Sequence, residues 1–459
     1  MPKPSSILIE DAIVVTVDRS RRVIEGGSVL VEDGRIAEIL GPASRVSARR
    51  AELKVSARGM ALIPGLIDTH LHLAQSLLRG CADDLSLVEW LKERVWPMQG
   101  SFTKEDGRVS AELSMLEMIK SGTTSFVGVD VVSRYGFDGI ARAVTKAGMR
   151  AALAKTIMDS PGYGSKGSIM PAGLVEEKED CIREAKSMIK KWNGIDGGLV
   201  RTWVAPRSLG GCSRELYEEV SELAAEQHAR VTMHLAEVRE DVKYAKQNFG
   251  MTPFEFIEEV GLAGPRSLFA HMVWLSDSDV TRVGKTKSNV AHCPSSNLKL
   301  ASGIPRIPEL LMAGANVALG CDGAPCNNSH DMVREIKLAA VIQKGRLLDP
   351  LTMPATTVLE MATVRGARAM GMESDVGSIE VGKKADLVLV DLKKPHLTPY
   401  RDIVSNIVYS AMGSDVDTVM VDGRFLLREG KALTLDEAAI MGQAQKSQDE
   451  LISRSGVKA

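Results

Sequence analysis

The pair His70 and His72, in Gly-Leu-Ile-Asp-Thr-His-Leu-His-Leu, constrains this chain more than any other feature. An apolar run from Ala61 to Ile67 leads straight into two histidines spaced i, i+2. Side chains alternate faces along a strand, so both imidazoles point the same way at one end of a buried strand. Neutral imidazole is the commonest metal ligand, and two on one strand end make half a site. Alone, His-x-His reads equally well as two polar residues closing a strand. The rest of the chain decides between the two.

Downstream of that pair, strand and helix alternate. Strand candidates are 62–72, 123–130, 150–158, 199–205, 230–236, 267–273, 289–293 and 316–322. Helical stretches intervene, one with Val109, Leu113, Leu116 and Ile119 at helical spacing, another running from the N-cap residue Ser213 to His228. Strands joined by helical crossovers over a stretch of this length predict an α/β protein built on a (β/α)8 barrel. A doubly wound sheet is the other candidate, but no glycine fingerprint follows any strand.

Residues 7–58 carry short β-rich runs broken by turn signals such as Glu32-Asp33-Gly34. The far end mirrors them in Ala385-Asp-Leu-Val-Leu-Val-Asp and Thr418-Val-Met-Val-Asp-Gly-Arg. Neither end alone has enough strands to bury a face, so the two are expected to pair into one small β-sandwich. The expected organisation is 1–60 for the first part of the sandwich and 61–372 for the barrel. Residues 373–459 would complete the sandwich and add a C-terminal helix. The Gly/Ser-rich stretch 159–170, after the third strand, is the expected lid.

Composition narrows the function classes. The 459 residues are 44% hydrophobic and 25% charged, with a net charge of −2, which gives no footprint for a nucleic-acid partner. Aromatics at 4% argue against base-stacking surfaces. Neither a membrane-length apolar run nor a signal-peptide stretch is present, so a cytoplasmic protein with no membrane partner is expected. Six cysteines without a Cys-x-x-Cys pair point to buried reduced thiols.

In such a barrel the chemistry sits where strands end. His70 and His72 end the first strand, His234 and Glu237 the fifth, His271 the sixth, His292 the seventh and Asp322 the eighth. Each has an ordinary explanation alone: a core histidine, an acid at a helix start, or a turn residue before glycine. Ligand-type residues at five strand ends together point to a metal site, with His292 behind the ligands rather than among them.

The motifs Pro-Gly-Leu-Ile-Asp-Thr-His-Leu-His, His-Leu-Ala-Glu, His-Cys-Pro-Ser-Ser-Asn-Leu-Lys-Leu and Leu-Gly-Cys-Asp-Gly, with the tail Gly-Ser-Ile-Glu-Val-Gly-Lys-Lys-Ala-Asp-Leu-Val, resemble the amidohydrolase superfamily nearly end to end. Within it the chain resembles the mononuclear aminohydrolase branch of guanine deaminase, methylthioadenosine and S-adenosylhomocysteine deaminases, and the triazine hydrolases. The resemblance implies that His70, His72, His234 and Asp322 bind one divalent ion, Zn²⁺ first and Fe²⁺ second. It also implies a homo-oligomer, most simply a homodimer.

Those residues suit hydrolysis. Three imidazoles and a carboxylate leave room for a water whose pKa the metal lowers toward about 7. Asp322 can take its proton, Glu237 can carry a proton to a ring nitrogen, and His271 can hold the attacking oxygen or the tetrahedral centre. The fourth strand, Leu199-Val-Arg-Thr-Trp-Val-Ala, holds no lysine, which disfavours the carbamate-bridged two-metal site of other branches. Lys155 on the third strand reads as a structural or exposed lysine. A non-catalytic scaffold is the rival class, and the filled ligand and proton-transfer positions speak against it.

Substrate choice is less constrained. Nucleoside deaminases of the branch carry a glutamate and a Pro-His where this chain has Gln99 and Pro206-Arg207. By contrast Gln75, Pro206-Arg207-Ser208 and Cys212-Ser213 resemble guanine deaminase, and an amide with a planar guanidinium suits a ring presenting a carbonyl beside a nitrogen. The expectation is therefore a deaminase releasing ammonia from a small heterocycle, namely a guanine-like purine, a pterin or an s-triazine. Gln75, Gln99 and Arg207 would form its substrate-binding set. The alternatives are a methylthioadenosine/S-adenosylhomocysteine-type nucleoside deaminase and a triazine dechlorinase or dealkylaminase.

Overall fold

The computed structural model describes residues 4–42, 51–160, 170–171 and 173–457. Most of the stretch expected to act as a lid, 161–169, lies outside the described residues. The core is an eight-stranded parallel sheet whose strands neighbour one another in chain order. They are Leu66–His72, Thr123–Val131, Arg150–Ile157, Val200–Pro206, Val231–Leu235, Ser267–His271, Asn289–His292 and Asn316–Leu319. The first three are buried along their whole length, polar residues included.

The sheet curls until its ends meet. The Asp322 N–H donates to the carbonyl of His70 at 2.8 Å, and the Thr69 hydroxyl donates to the carbonyl of Leu319 at 2.8 Å. At the intervening Gly320 a Cβ would lie 2.9 Å from the Cβ and backbone nitrogen of His70. Only glycine allows the last strand to come this close to the first. The barrel expected from the alternating pattern is the observed one.

Helices cover it where their sequences cap well. Thr103 accepts from the Asp106 N–H while the Asp106 carboxylate takes the Thr103 N–H, opening the helix Lys104–Lys120. Ser213 accepts from the Leu216 N–H to open Arg214–Glu226.

Both chain ends build one further unit, a nine-stranded, mostly antiparallel sheet. Met60–Pro64 joins its halves, pairing parallel with Ser6–Val15 and antiparallel with Leu387–Asp391. The single strand expected over 62–72 is therefore two, one in each sheet. The break falls at Gly65, where a Cβ would lie 2.0 Å from the Thr124 hydroxyl oxygen. A buried ion pair fastens the two units. Arg150, at the start of the third barrel strand, reaches Asp386 Oδ2 at 2.9 Å through Nε and Asp422 Oδ1 at 2.9 Å through Nη2.

Candidate active site and metal centre

Backbone strain marks the C-terminal ends of the barrel strands. Asp130, Ala236, His271, Met272 and Asp322 all have φ between +51° and +73°, a left-handed conformation that costs a non-glycine residue about 1 kcal/mol or more. Each lies within or just beyond the end of a barrel strand. Positive φ there turns side chains inward over the barrel mouth.

The expected ligand residues converge there. One ligand atom each from His70, His234, His271 and Asp322 lie within 4.8 Å of one another. His72 joins from the same strand as His70, with Nε2 2.9 Å from His234 Nε2 and 3.0 Å from Asp322 Oδ1. His70 Nε2 lies 3.4 Å from Asp322 Oδ1. His271, expected beside the attacking oxygen, stands inside the ligand cluster itself.

The hydrogen bonds suit a cation. His234 Nδ1 sits 3.0 Å from the Arg207 carbonyl oxygen and 2.9 Å from Arg207 Nη1, which also lies 3.3 Å from His234 Nε2. His72 Nδ1 faces the Asp130 carboxylate at 3.2 Å, which frees His72 Nε2. His72 Nε2 and His234 Nε2 stand 2.9 Å apart beside the Asp322 carboxylate, an arrangement that a cation between or beside them would suit. His271 Nε2 and both ring nitrogens of His70 are buried without a hydrogen-bond partner. Such a donor set of imidazoles and one carboxylate fits Zn²⁺, or Fe²⁺ in second place.

The electrostatics agree. Burial pushes His70 down to about 4 despite its contact with Asp322, and burial with the Arg207 charge holds His234 well below the usual histidine range. Burial also opposes charge on His72, but hydrogen bonds to Asp130 and Asp322 outweigh it and hold the group at about 9. A bound divalent ion would take the place of that proton. Burial would raise Asp322, yet its contacts with His70 and His72 hold it well below the usual carboxylate range.

The residues expected to handle protons sit around this cluster. Burial pushes Glu237 above the ordinary carboxylate range. Its Oε1 accepts from the Ser302 hydroxyl at 3.2 Å, and its Oε2 lies 3.5 Å from His271 Nε2. Asp322 Oδ2 accepts from the Ser296 hydroxyl at 2.6 Å, and Asn297 Oδ1 holds His271 Nδ1 at 2.9 Å. His292 is buried with neither ring nitrogen partnered, and burial holds it down at about 3.

A cavity opens over His72, His234, Glu237 and Asp322, walled by Leu87, Trp90, Leu91, Trp96, Met170 and Leu300 with Arg207 and Ser208. Of the three expected substrate-binding residues only Arg207 lines it. Gln75 and Gln99 are buried, and each spends its amide nitrogen on Asp130. The expectation placed them by their position in a motif, which fixes no side-chain direction. Lys155 is buried rather than exposed and donates to Glu176 Oε2 and the Thr156 carbonyl, both at 2.9 Å. The sequence reading missed Asp130, Ser296, Asn297, Ser302 and the apolar wall. Ser296 and Asn297 had a signal, since both lie in the His-Cys-Pro-Ser-Ser-Asn motif.

Residues 61–426 match the amidohydrolase family. The chain is 39% identical to the 5′-deoxyadenosine deaminase of Methanosarcina mazei, over 98% of this chain and 99% of that one. It is 40% identical to the 5-methylthioadenosine/S-adenosylhomocysteine deaminase of Moorella thermoacetica, over 96% and 98%. The crystal structure of an adenosine deaminase from Xanthomonas campestris with bound zinc superposes with a TM-score of 0.91 at 32% identity, covering 99% of this chain and all of that one. An atrazine chlorohydrolase from Arthrobacter aurescens superposes with a TM-score of 0.87 at 24% identity, covering 96% and 100%, a likeness of fold alone.

Proposed function

Because this chain belongs to the amidohydrolase family and is a metal-dependent deaminase of C–N bonds, we propose that it removes the 6-amino group of an adenine nucleoside. The proposed class is that of 5′-deoxyadenosine, methylthioadenosine and S-adenosylhomocysteine, with ammonia released. The observation that carries this is the end-to-end likeness, near 40% identity, to deaminases of those nucleosides. The cavity supports it. Leu87, Trp90, Leu91, Trp96 and Met170 offer an apolar wall to a sugar whose 5′ position carries a methyl or thioether in place of a hydroxyl. The free-base expectation loses part of its basis, because Gln75 faces Asp130 rather than the cavity.

In this reading His70, His72, His234 and Asp322 hold one Zn²⁺, or Fe²⁺ in second place. Bound there, a divalent ion lowers the pKa of a water toward about 7. Asp322, steadied by Ser296, is placed to take a proton from the attacking water. Glu237, whose carboxyl is pushed upward by burial, gives a proton to ring nitrogen N1 as oxygen adds to the adjacent C6. His271 Nε2, between Glu237 and Asp322, holds the attacking oxygen by hydrogen bond. Glu237, now deprotonated, takes the proton of the hydroxyl on C6 while Asp322 passes the water's proton to the amino group. Ammonia then leaves, a 6-oxopurine remains and both residues return to their starting states. Arg207 and Ser208 are the polar groups left to orient the substrate at the wall. His292, on the strand beside that of His271, stands behind the ligands in this reading. Lys155, engaged by Glu176, is not available to bridge a second ion.

Ammonia release across a panel tests the substrate class. The panel holds 5′-deoxyadenosine, methylthioadenosine, S-adenosylhomocysteine, guanine, a pterin and aminotriazines. We expect kcat/KM for the best nucleoside to exceed that for any free base at least about tenfold, a margin of about 1.4 kcal/mol in transition-state binding. Guanine or a pterin leading the panel restores the free-base reading, and chloride release from atrazine without ammonia moves the chain to dechlorination. The six free cysteines are all buried, which suits the reducing cytoplasm we assign to the protein. No helix among the described residues is long and apolar enough to cross a membrane. A homodimer is the assembly proposed, and sedimentation of a fully active monomer would refute it.

A further inference from the structure

One carboxylate at the site has no part in the chemistry above. Asp130 ends the second barrel strand with φ +63° and is almost wholly buried. Its Oδ2 lies 3.2 Å from His72 Nδ1, accepts from Gln75 Nε2 at 3.0 Å and also accepts from Gln99 Nε2. Its Oδ1 lies 3.4 Å from Arg207 Nε. A carboxylate offers about four lone-pair positions, and four donors approach this one. They come from the end of the first strand, the turn after it, the wall helix Trp96–Gly100 and the residue just past the fourth strand.

We propose that Asp130 is a positioning residue that anchors both halves of the site. It holds His72 so that Nε2 faces the metal, and it fixes the Arg207 guanidinium at the cavity wall where the substrate sits. On the metal side, a carboxylate on the far nitrogen of a ligating imidazole fixes its tautomer and ring orientation. On the substrate side, Arg207 is the one arginine or lysine lining the cavity among the described residues. Gln75 and Gln99 add two further donors on Oδ2. Metal grip and substrate grip are thereby coupled through a residue that touches neither metal nor substrate.

The proposal rests on the metal and substrate roles given above, and its test separates them. Zinc affinity of wild type, Asp130→Asn and Asp130→Glu is measured by competition with a chromogenic chelator, which needs no substrate. KM and kcat are measured with the best substrate of the panel, and unfolding is followed on metal-stripped protein. Asparagine presents donors to donors and removes the charge, so zinc should bind about 10- to 100-fold more weakly. KM should rise several-fold as Arg207 comes loose. Asp130→Glu, which keeps the charge but moves it by a methylene, should fall between. If Asp130→Asn does not fold, Asp130→Glu carries the test, with zinc affinity and KM both expected to worsen. Unchanged zinc affinity and KM in a folded variant, with only the stripped protein destabilised, would reduce Asp130 to a core residue and overturn the proposal. A wild type that binds zinc but deaminates no nucleoside defeats the substrate class, and the chelator arm still judges Asp130.

Discussion

The backbone N–H of Asp322 donates to the carbonyl of His70 at 2.8 Å, and their side chains meet, Oδ1 to Nε2, at 3.4 Å. These residues stand at opposite ends of the barrel sequence. The hydrogen bond that shuts the barrel is thus also what brings a carboxylate to the paired histidines. Fold closure and site assembly are one event.

Gly320 is where that closure is tightest. In Gly320→Ala the new methyl would lie 2.9 Å from His70, so one strand must move. Overpacking of this kind costs about 1–3 kcal/mol. Denaturant melts should show that loss, and metal analysis should find less ion per chain than in wild type. A variant with full metal content and unchanged stability would mean that the strands have slack at this point.

Glu237→Gln should leave metal content intact while lowering kcat at least about 10²-fold, because an amide cannot shuttle a proton. Near-normal turnover would leave Glu237 only its hydrogen bond with Ser302.

Arg150 tests the junction between the units. Arg150→Met strands Asp386, whose side chain is 2% exposed, without its partner. Breaking a buried pair from one side costs about 3–5 kcal/mol. Arg150 lies at the N-terminal end of its strand, away from the site, so kcat of the folded fraction should not change. A loss well under 1 kcal/mol would show that the pair contributes little to joining the units.

The histidines and acids that converge at the barrel mouth were legible in the sequence because a barrel brings its strand ends together, and a histidine or acid after an apolar run marks such an end. Glu237 and His271 were legible for the same reason. Asp130 was not. It too closes an apolar run, but an aspartate there reads equally as a turn residue, and its side-chain amide and imidazole partners lie 31 to 58 positions away. Gln75 and Gln99 were assigned to the substrate because a motif gives a position without a direction. The boundary at Gly65 was hidden for another reason. Both strands it separates are buried, and the apolar run crosses it unbroken.

The central claim is that one divalent ion, held by His70, His72, His234 and Asp322, serves each active chain. Adding zinc to metal-stripped protein while recording deaminase activity tests it most directly. Activity should rise in proportion to the ion and level off at about one equivalent per chain, the count a single closed donor set allows. A rise continuing to two equivalents, or full activity in stripped protein, would contradict it.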